Sequence, residues 1–155
     1  MHKEKVNLGE IKLVGVSLRT NNSDEMNPEK SKIGAFVGNY WGGQLANNFK
    51  NRKNPGVTYS IYTDFDSDEN GEYTYFIGEE VDSFEDQDLS EFKTLIIPAS
   101  AYQKFTTSCG QMPGIVIGAW QEIWQMAPSD FSGKRTYKAD FEIYDHRAVD
   151  PNNSE

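Results

Sequence analysis

Tyr59-Ser60-Ile61-Tyr62-Thr63-Asp64-Phe65 and Glu72-Tyr73-Thr74-Tyr75-Phe76-Ile77-Gly78 flank Asn70-Gly71, and this arrangement decides the fold. Both flanks are rich in the β-branched and aromatic residues that favour strands. Asn-Gly between two such runs is a strong hairpin signal, so an antiparallel hairpin is expected over residues 57–65 and 72–81. Tyr73 and Tyr75 share one face of their strand. Tyr59 belongs to the partner strand, so a cross-strand aromatic cluster is expected without any ligand. The intervening Asp66-Ser67-Asp68-Glu69-Asn70-Gly71 imitates the first half of a calcium loop. Its twelfth position would be Ile77, which supplies no carboxylate, and the flanks read as strands, so the acids form a hairpin tip.

Upstream, Ile11, Leu13, Val14, Val16 and Leu18 make a strand-like run over residues 11–20. Asn27-Pro28-Glu29 then reads as a helix start: an Asn cap, proline at the first helical position and an acid in the first turn. Ile33, Phe36, Val37, Tyr40 and Trp41 recur at helical spacing, with Leu45 and Phe49 extending the stripe. Gly34, Gly38 and Gly42 stand four apart and predict a flat row for close backbone packing, at a helix cost of roughly 1 kcal/mol each. Downstream, an acidic loop over residues 82–91 leads to apolar runs at 93–98 and 101–107. A second helix starts at Pro113 and ends at Pro128, with Val116, Trp120, Ile123, Trp124 and Ala127 on one face. A final strand over residues 135–144 contains Asp140-Phe141-Glu142-Ile143-Tyr144-Asp145.

The order is nearly a βαββ unit used twice, with the last strand missing from the second copy. This predicts an α+β fold: an antiparallel sheet with two helices on one face and a pseudo-twofold repeat. Residues 1–7 are expected to be a flexible N-terminus, 8–150 a single domain and 151–155 a flexible C-terminus.

At 155 residues the chain fits one domain. Fifteen Lys and Arg against 24 Asp and Glu give a formal charge of −9, which repels phosphate backbones and argues against direct nucleic-acid binding. The single cysteine, Cys109, excludes an intrachain disulfide. With only His2 and His146 beside it, no His/Cys metal cluster can be assembled. Neither an apolar signal core nor a run of membrane-spanning length is present, so the cytoplasm is the default compartment and no membrane contact is expected. No cofactor is implied.

Alternation puts Phe141 and Ile143 on one face of the final strand, and Asp140, Glu142 and Tyr144 on the other. On a solvated face Glu142 is trivial. On a covered face it needs a counter-charge. Trp120 and Trp124, one helical turn apart, are either core or the walls of a cleft offering cation–π contact; Tyr40 and Trp41 admit the same two readings.

Taken together, several segments resemble the GyrI-like small-molecule-binding domain, also found attached to AraC-type and MerR-type regulators. The hairpin Tyr59–Gly78 looks like its central hairpin, and the run from Ile96 to Phe105 like its following strand pair. Gly118-Ala119-Trp120-Gln121-Glu122-Ile123-Trp124 resembles its second helix, and Asp140–Tyr144 its acid-bearing strand. The similarity spans residues 8–150 in order. It implies a pseudo-symmetric two-unit fold with a cleft, in which a buried glutamate among aromatic rings holds lipophilic cations. Glu142 matches the acid; Trp120, Trp41, Tyr40, Tyr75, Phe105 and Tyr144 are the implied lining. Set against the resemblance, the chain is expected to carry no helix-turn-helix domain of the family's regulators, and the family's usual last strand is expected to be lost, cut off or replaced by pairing with another molecule. An uncovered sheet edge invites pairing, so a homodimer is an expectation.

The leading expectation is a stand-alone, non-catalytic binding domain for an amphipathic cation. The alternatives are a hydrolase of reactive small molecules, using Glu142 with Tyr75 or Tyr144, and a protein–protein inhibitor.

Overall fold

In the computed structural model, which describes residues 1–67, 71–112, 114–126, 139–148 and 154, the strands are His2–Leu8 (β1), Ile11–Asn21 (β2), Thr58–Thr63 (β3), Glu72–Glu80 (β4), Lys93–Ile97 (β5), Ser100–Thr106 (β6) and Ala139–Tyr144 (β7). The helices are Asn22–Glu25 (α1), Ile33–Gly42 (α2) and Gly114–Trp124 (α3). The α+β class is as expected, with the strands shared between two antiparallel sheets, one of order β5-β2-β4-β3-β7 and one of β1-β6.

The chain divides into two units. The first comprises Met1–Glu10, Pro98–Thr136 and Tyr144–Glu155, and contains the β1–β6 ribbon and α3. Residues 1–7 are thus not a loose terminus: His2 pairs with Thr106 and Leu8 with Ser100 in a continuous ladder. Alternating lysines with a single acid hid this strand, because Glu4 is matched across the ladder by Lys104 rather than by apolar residues. Within the expected flexible C-terminus, Ser154 is buried and exchanges backbone hydrogen bonds of 2.9 and 2.7 Å with Gly110. The expected helix signals Pro113 and Pro128, and the absence of a last strand beyond residue 148, fall outside the described residues apart from Ser154.

The second unit comprises Ile11–Ile97 and Tyr137–Ile143. It holds the first βαββ copy (β2, α2, β3, β4), with β5 and β7 as its edges. The hairpin register sets Tyr62 opposite Tyr75 and Tyr59 opposite Gly78. Tyr62, not Tyr59, therefore joins Tyr73 and Tyr75, because strand alternation turns Tyr59 to the other face. Val14, Tyr73, Tyr75, Ile77 and Val81 form one buried face, packed by Tyr40, Phe49 and Phe92, with Ile33, Phe36 and Val37 of α2 against them. Leu13, Ile61, Phe76 and Ile97 are buried on the opposite face.

Asn27 does not cap a helix. Its Oδ1 accepts from the Glu29 N–H at 3.0 Å in a turn, and α2 begins at Ile33 with no cap from Lys32. The cap comes from a distance: the Glu25 carboxylate accepts the backbone N–H groups of Lys32 at 2.8 Å and of Ile33 at 2.9 Å. A negative group there also complements the helix dipole. Gly34, Gly38 and Gly42 form no packing row, since a Cβ at any of them would meet nothing within 4 Å.

The glycines that matter sit in the sheet. Gly15 and Gly78 face each other on β2 and β4. A Cβ on Gly78 would strike the Val14 carbonyl oxygen, and one on Gly15 the Ile77 carbonyl oxygen. Both obstacles are backbone, so the strands themselves must separate. Gly78→Ala is expected to cost about 3 kcal/mol, read as a lower urea midpoint, while Gly38→Ala on the open side of α2 raises it.

Candidate functional site

The helix-covered face of the five-stranded sheet carries a patch of phenols beside one carboxylate. β4 contributes Tyr73 and Tyr75, both 2% exposed, and β3 contributes Tyr62 and Ser60. The Tyr62 ring stands edge-on to both β4 tyrosines, with centroids 5.6 Å from Tyr73 and 5.4 Å from Tyr75. Phe36 of α2 meets Tyr75 at 6.2 Å, and Phe65 meets Tyr73 at 5.7 Å. Such edge contacts add roughly 0.5–1.5 kcal/mol each and hold the rings in place.

β7 lies next to β3 and delivers the acid. Phe141 stacks at 6.2 Å on Tyr59, on the opposite face, so alternation turns Glu142 toward the phenols. The Tyr62 hydroxyl donates to Glu142 Oε2 at 3.3 Å. Glu142 is half-buried rather than fully buried. Its charge reaches the cluster: burial first, then Glu25 and Glu142, hold the Tyr73 hydroxyl above its ordinary pKa. For Tyr75, burial raises the pKa most, Ser60 opposes it through a 2.8 Å hydrogen bond, and Glu142 adds to the rise. Tyr73 and Tyr75 are thus neutral near pH 7, available as donors or acceptors.

Among the described residues of this unit, the fully buried carboxylate is a different one. Glu79, 1% exposed, receives Arg52 Nε and Nη2, each at 3.0 Å, and so has a counter-charge from the protein. Tyr40, 1% exposed, packs into the core near this pair, and its hydroxyl has no partner among the described residues. Trp41, a step of about 100° around the helix, is 51% exposed while its ring stands edge-on to that of Tyr40 at 5.3 Å.

Of the site residues expected from sequence, Glu142 and Tyr75 are thus brought together. Tyr40 shares their face at its far end, by Glu79, and Tyr144 is two positions along β7 from Glu142. Trp120 and Phe105 belong to the other unit, where Trp120 lies 6.5 Å from Trp124 and all three are half-buried. Sequence reasoning missed Tyr62, Tyr73 as a site residue, and Ser60. The signal was present, since Ser60 and Tyr62 alternate on β3, but using it required the hairpin register. Among the described residues no three His, Cys, Asp or Glu side chains converge as a metal site, and no helix is long and apolar enough to cross a membrane.

Residues 6–155 match the Cass2 family, the integron-associated effector binding proteins. The chain belongs to the Cass2 family. The Cass2 integron cassette protein of Vibrio cholerae shares 28% identity and superposes with a TM-score of 0.74, covering 97% of this chain and 90% of that one. This bears out the GyrI-like reading. The candidate transcriptional regulator protein YobU of Bacillus subtilis (strain 168) is 30% identical over 140 residues, 90% of this chain and 84% of its own. SAV2435, solved bound to tetraphenylphosphonium, shares the fold at 17% identity, with a TM-score of 0.73 over 99% of this chain and 87% of that one. For this Cass2 relative, small-molecule binding is thus the activity of the family, and Glu142 stands at the edge of a ring-lined face.

Proposed function

We propose that this chain is an effector-binding domain whose ligand is an amphipathic organic cation, held on the helix-covered face of the five-stranded sheet. The reading rests chiefly on one observation: Glu142, half-buried and hydrogen-bonded by Tyr62, stands at the edge of the edge-packed rings of Tyr62, Tyr73 and Tyr75. The half-buried Tyr62 ring, held in place by Tyr73 and Tyr75 behind it, covers the apolar body of the ligand and attracts its charge through cation–π contact. The carboxylate offsets that charge where water is scarce. The lipophilic cation bound by SAV2435 supports this class of ligand, and a formal charge of −9 draws cations toward the surface.

Titration with tetraphenylphosphonium tests the reading. Glu142→Gln keeps the shape and removes the charge, and is expected to weaken binding roughly tenfold or more, as loss of a charge partner does. Equal affinities for the two proteins would remove Glu142 from the mechanism.

A further inference from the structure

We propose that a single water molecule is bound inside the sheet unit, shared by the Tyr40 hydroxyl, the Thr58 hydroxyl and the Glu79 carboxylate, and that it ties α2 to the β3–β4 hairpin. The site lies away from Glu142 on the helix-covered face and stands whether or not a cation binds there.

Tyr40 and Thr58 are each 1% exposed, and neither Tyr40 Oη nor Thr58 Oγ1 has a hydrogen-bond partner among the described residues. The ladder that sets Tyr59 opposite Gly78 continues to set Thr58 opposite Glu79, where facing side chains stand about 5 Å apart at Cβ. Alternation turns both toward α2. Thr58 is in line with Ser60 and Tyr62, and Glu79 stands between the buried Ile77 and Val81. Tyr40 descends from α2 into the same cluster as Ile77 and Val81, and its phenol feels the charges of Glu79 and Arg52. Two sealed hydroxyls thus converge on one sealed carboxylate and bond it directly in neither case. Native structures rarely leave such groups unpaired.

The chemistry of the group between them follows from the ion pair. Glu79 accepts Arg52 Nε on one oxygen and Nη2 on the other, each at 3.0 Å. Its charge is therefore already matched, and an ion placed here would lack a counter-charge. Each carboxylate oxygen keeps a further lone pair. The occupant is then small, neutral, a donor to the carboxylate and an acceptor from the hydroxyls. Water meets all four conditions, and three bonds are the usual complement of a buried water. The Arg52 side chain, 23% exposed, carries the pair to the surface and gives water a way in.

Tyr40→Phe and Thr58→Val each remove one hydroxyl and keep the shape. Each is expected to lower the folding constant about fivefold in urea titrations, as loss of an ordinary hydrogen bond does. A hydroxyl with no partner gives the opposite sign, because removing it relieves a desolvation cost. The two residues share no direct bond, so coupling between them reports the molecule they share. The double variant is expected to lose at least threefold less than the product of the single losses. A crystal structure of the wild-type protein is expected to show one water oxygen within about 3.2 Å of Tyr40 Oη, Thr58 Oγ1 and a Glu79 oxygen. A variant with a raised midpoint, fully independent losses, or a crystal structure with the two hydroxyls bonded to other groups overturns the proposal. Density for a larger molecule at this place overturns it in favour of an organic ligand.

Discussion

Raising the pH from 9 to 11 is expected to remove on the order of 5 kcal/mol of stability, enough to unfold a domain of ordinary stability. The cause is a set of phenols sealed in the sheet unit: Tyr40, Tyr59, Tyr73 and Tyr75, exposed by 1, 8, 2 and 2%. Burial is the leading reason each is held above the ordinary value of 10, with Tyr59 pushed up to about 12. In the unfolded chain each ionises near 10. Above that pH the native state therefore binds more protons than the unfolded state, and stability falls as pH rises; below it the contribution is fully present. Each phenol forfeits about 1.4 kcal/mol per pH unit in this window. Circular dichroism and tyrosinate absorbance, followed together, check this. The two should change in one cooperative step; tyrosinate forming near its ordinary pKa while the circular dichroism stays native would contradict it. Tyr40→Phe should shift that step to higher pH.

Arg52→Ala is expected to cost about 3–5 kcal/mol, the usual consequence of stranding a buried charge. Arg52 grips both oxygens of Glu79, and that hydrogen bonding is the main reason its guanidinium is held above its ordinary pKa. The partners are unequal in burial. The Glu79 side chain is 2% exposed and that of Arg52 23%, so removing the arginine leaves the sealed charge, while Glu79→Gln leaves a cation that reaches water. Arg52→Ala should therefore be the worse single change. Arg52→Met with Glu79→Leu should recover most of the loss, because replacing the whole pair with apolar volume removes the desolvation penalty too. Urea titrations measure all four proteins. An Arg52→Ala midpoint equal to wild type would show that the pair contributes nothing.

The parts of this fold legible in the sequence were those set by neighbours along the chain. The hairpin was legible because period-two alternation flanks a turn, and β2 starts at Ile11 where its apolar run begins. Errors arose where a distant residue decides. Asn27 has every local mark of a helix cap, yet the N-terminus of α2 is taken by Glu25, which no window around Ile33 reveals. Tyr59 looked like the partner of Tyr75 until the register paired Tyr62 with it. Alternation could not say whether the face bearing Glu142 was covered. That depended on β7 lying beside β3, a pairing between residues about eighty positions apart. The argument that a buried carboxylate needs a partner was sound, but the fully sealed acid is Glu79, served by Arg52.

The acid-bearing strand enters its sheet from far along the chain. β2 to β5 lie within residues 11–97, whereas β7 arrives only at Ala139, after the chain has left to build the other unit. On the ribosome, then, the tyrosines of the first hairpins emerge and pair well before Glu142 exists, and the phenol face waits with one edge open. On the cation site proposed above, the order of synthesis makes ligand binding the last property this molecule acquires: a nascent chain can be largely folded and still lack the carboxylate assigned to that site.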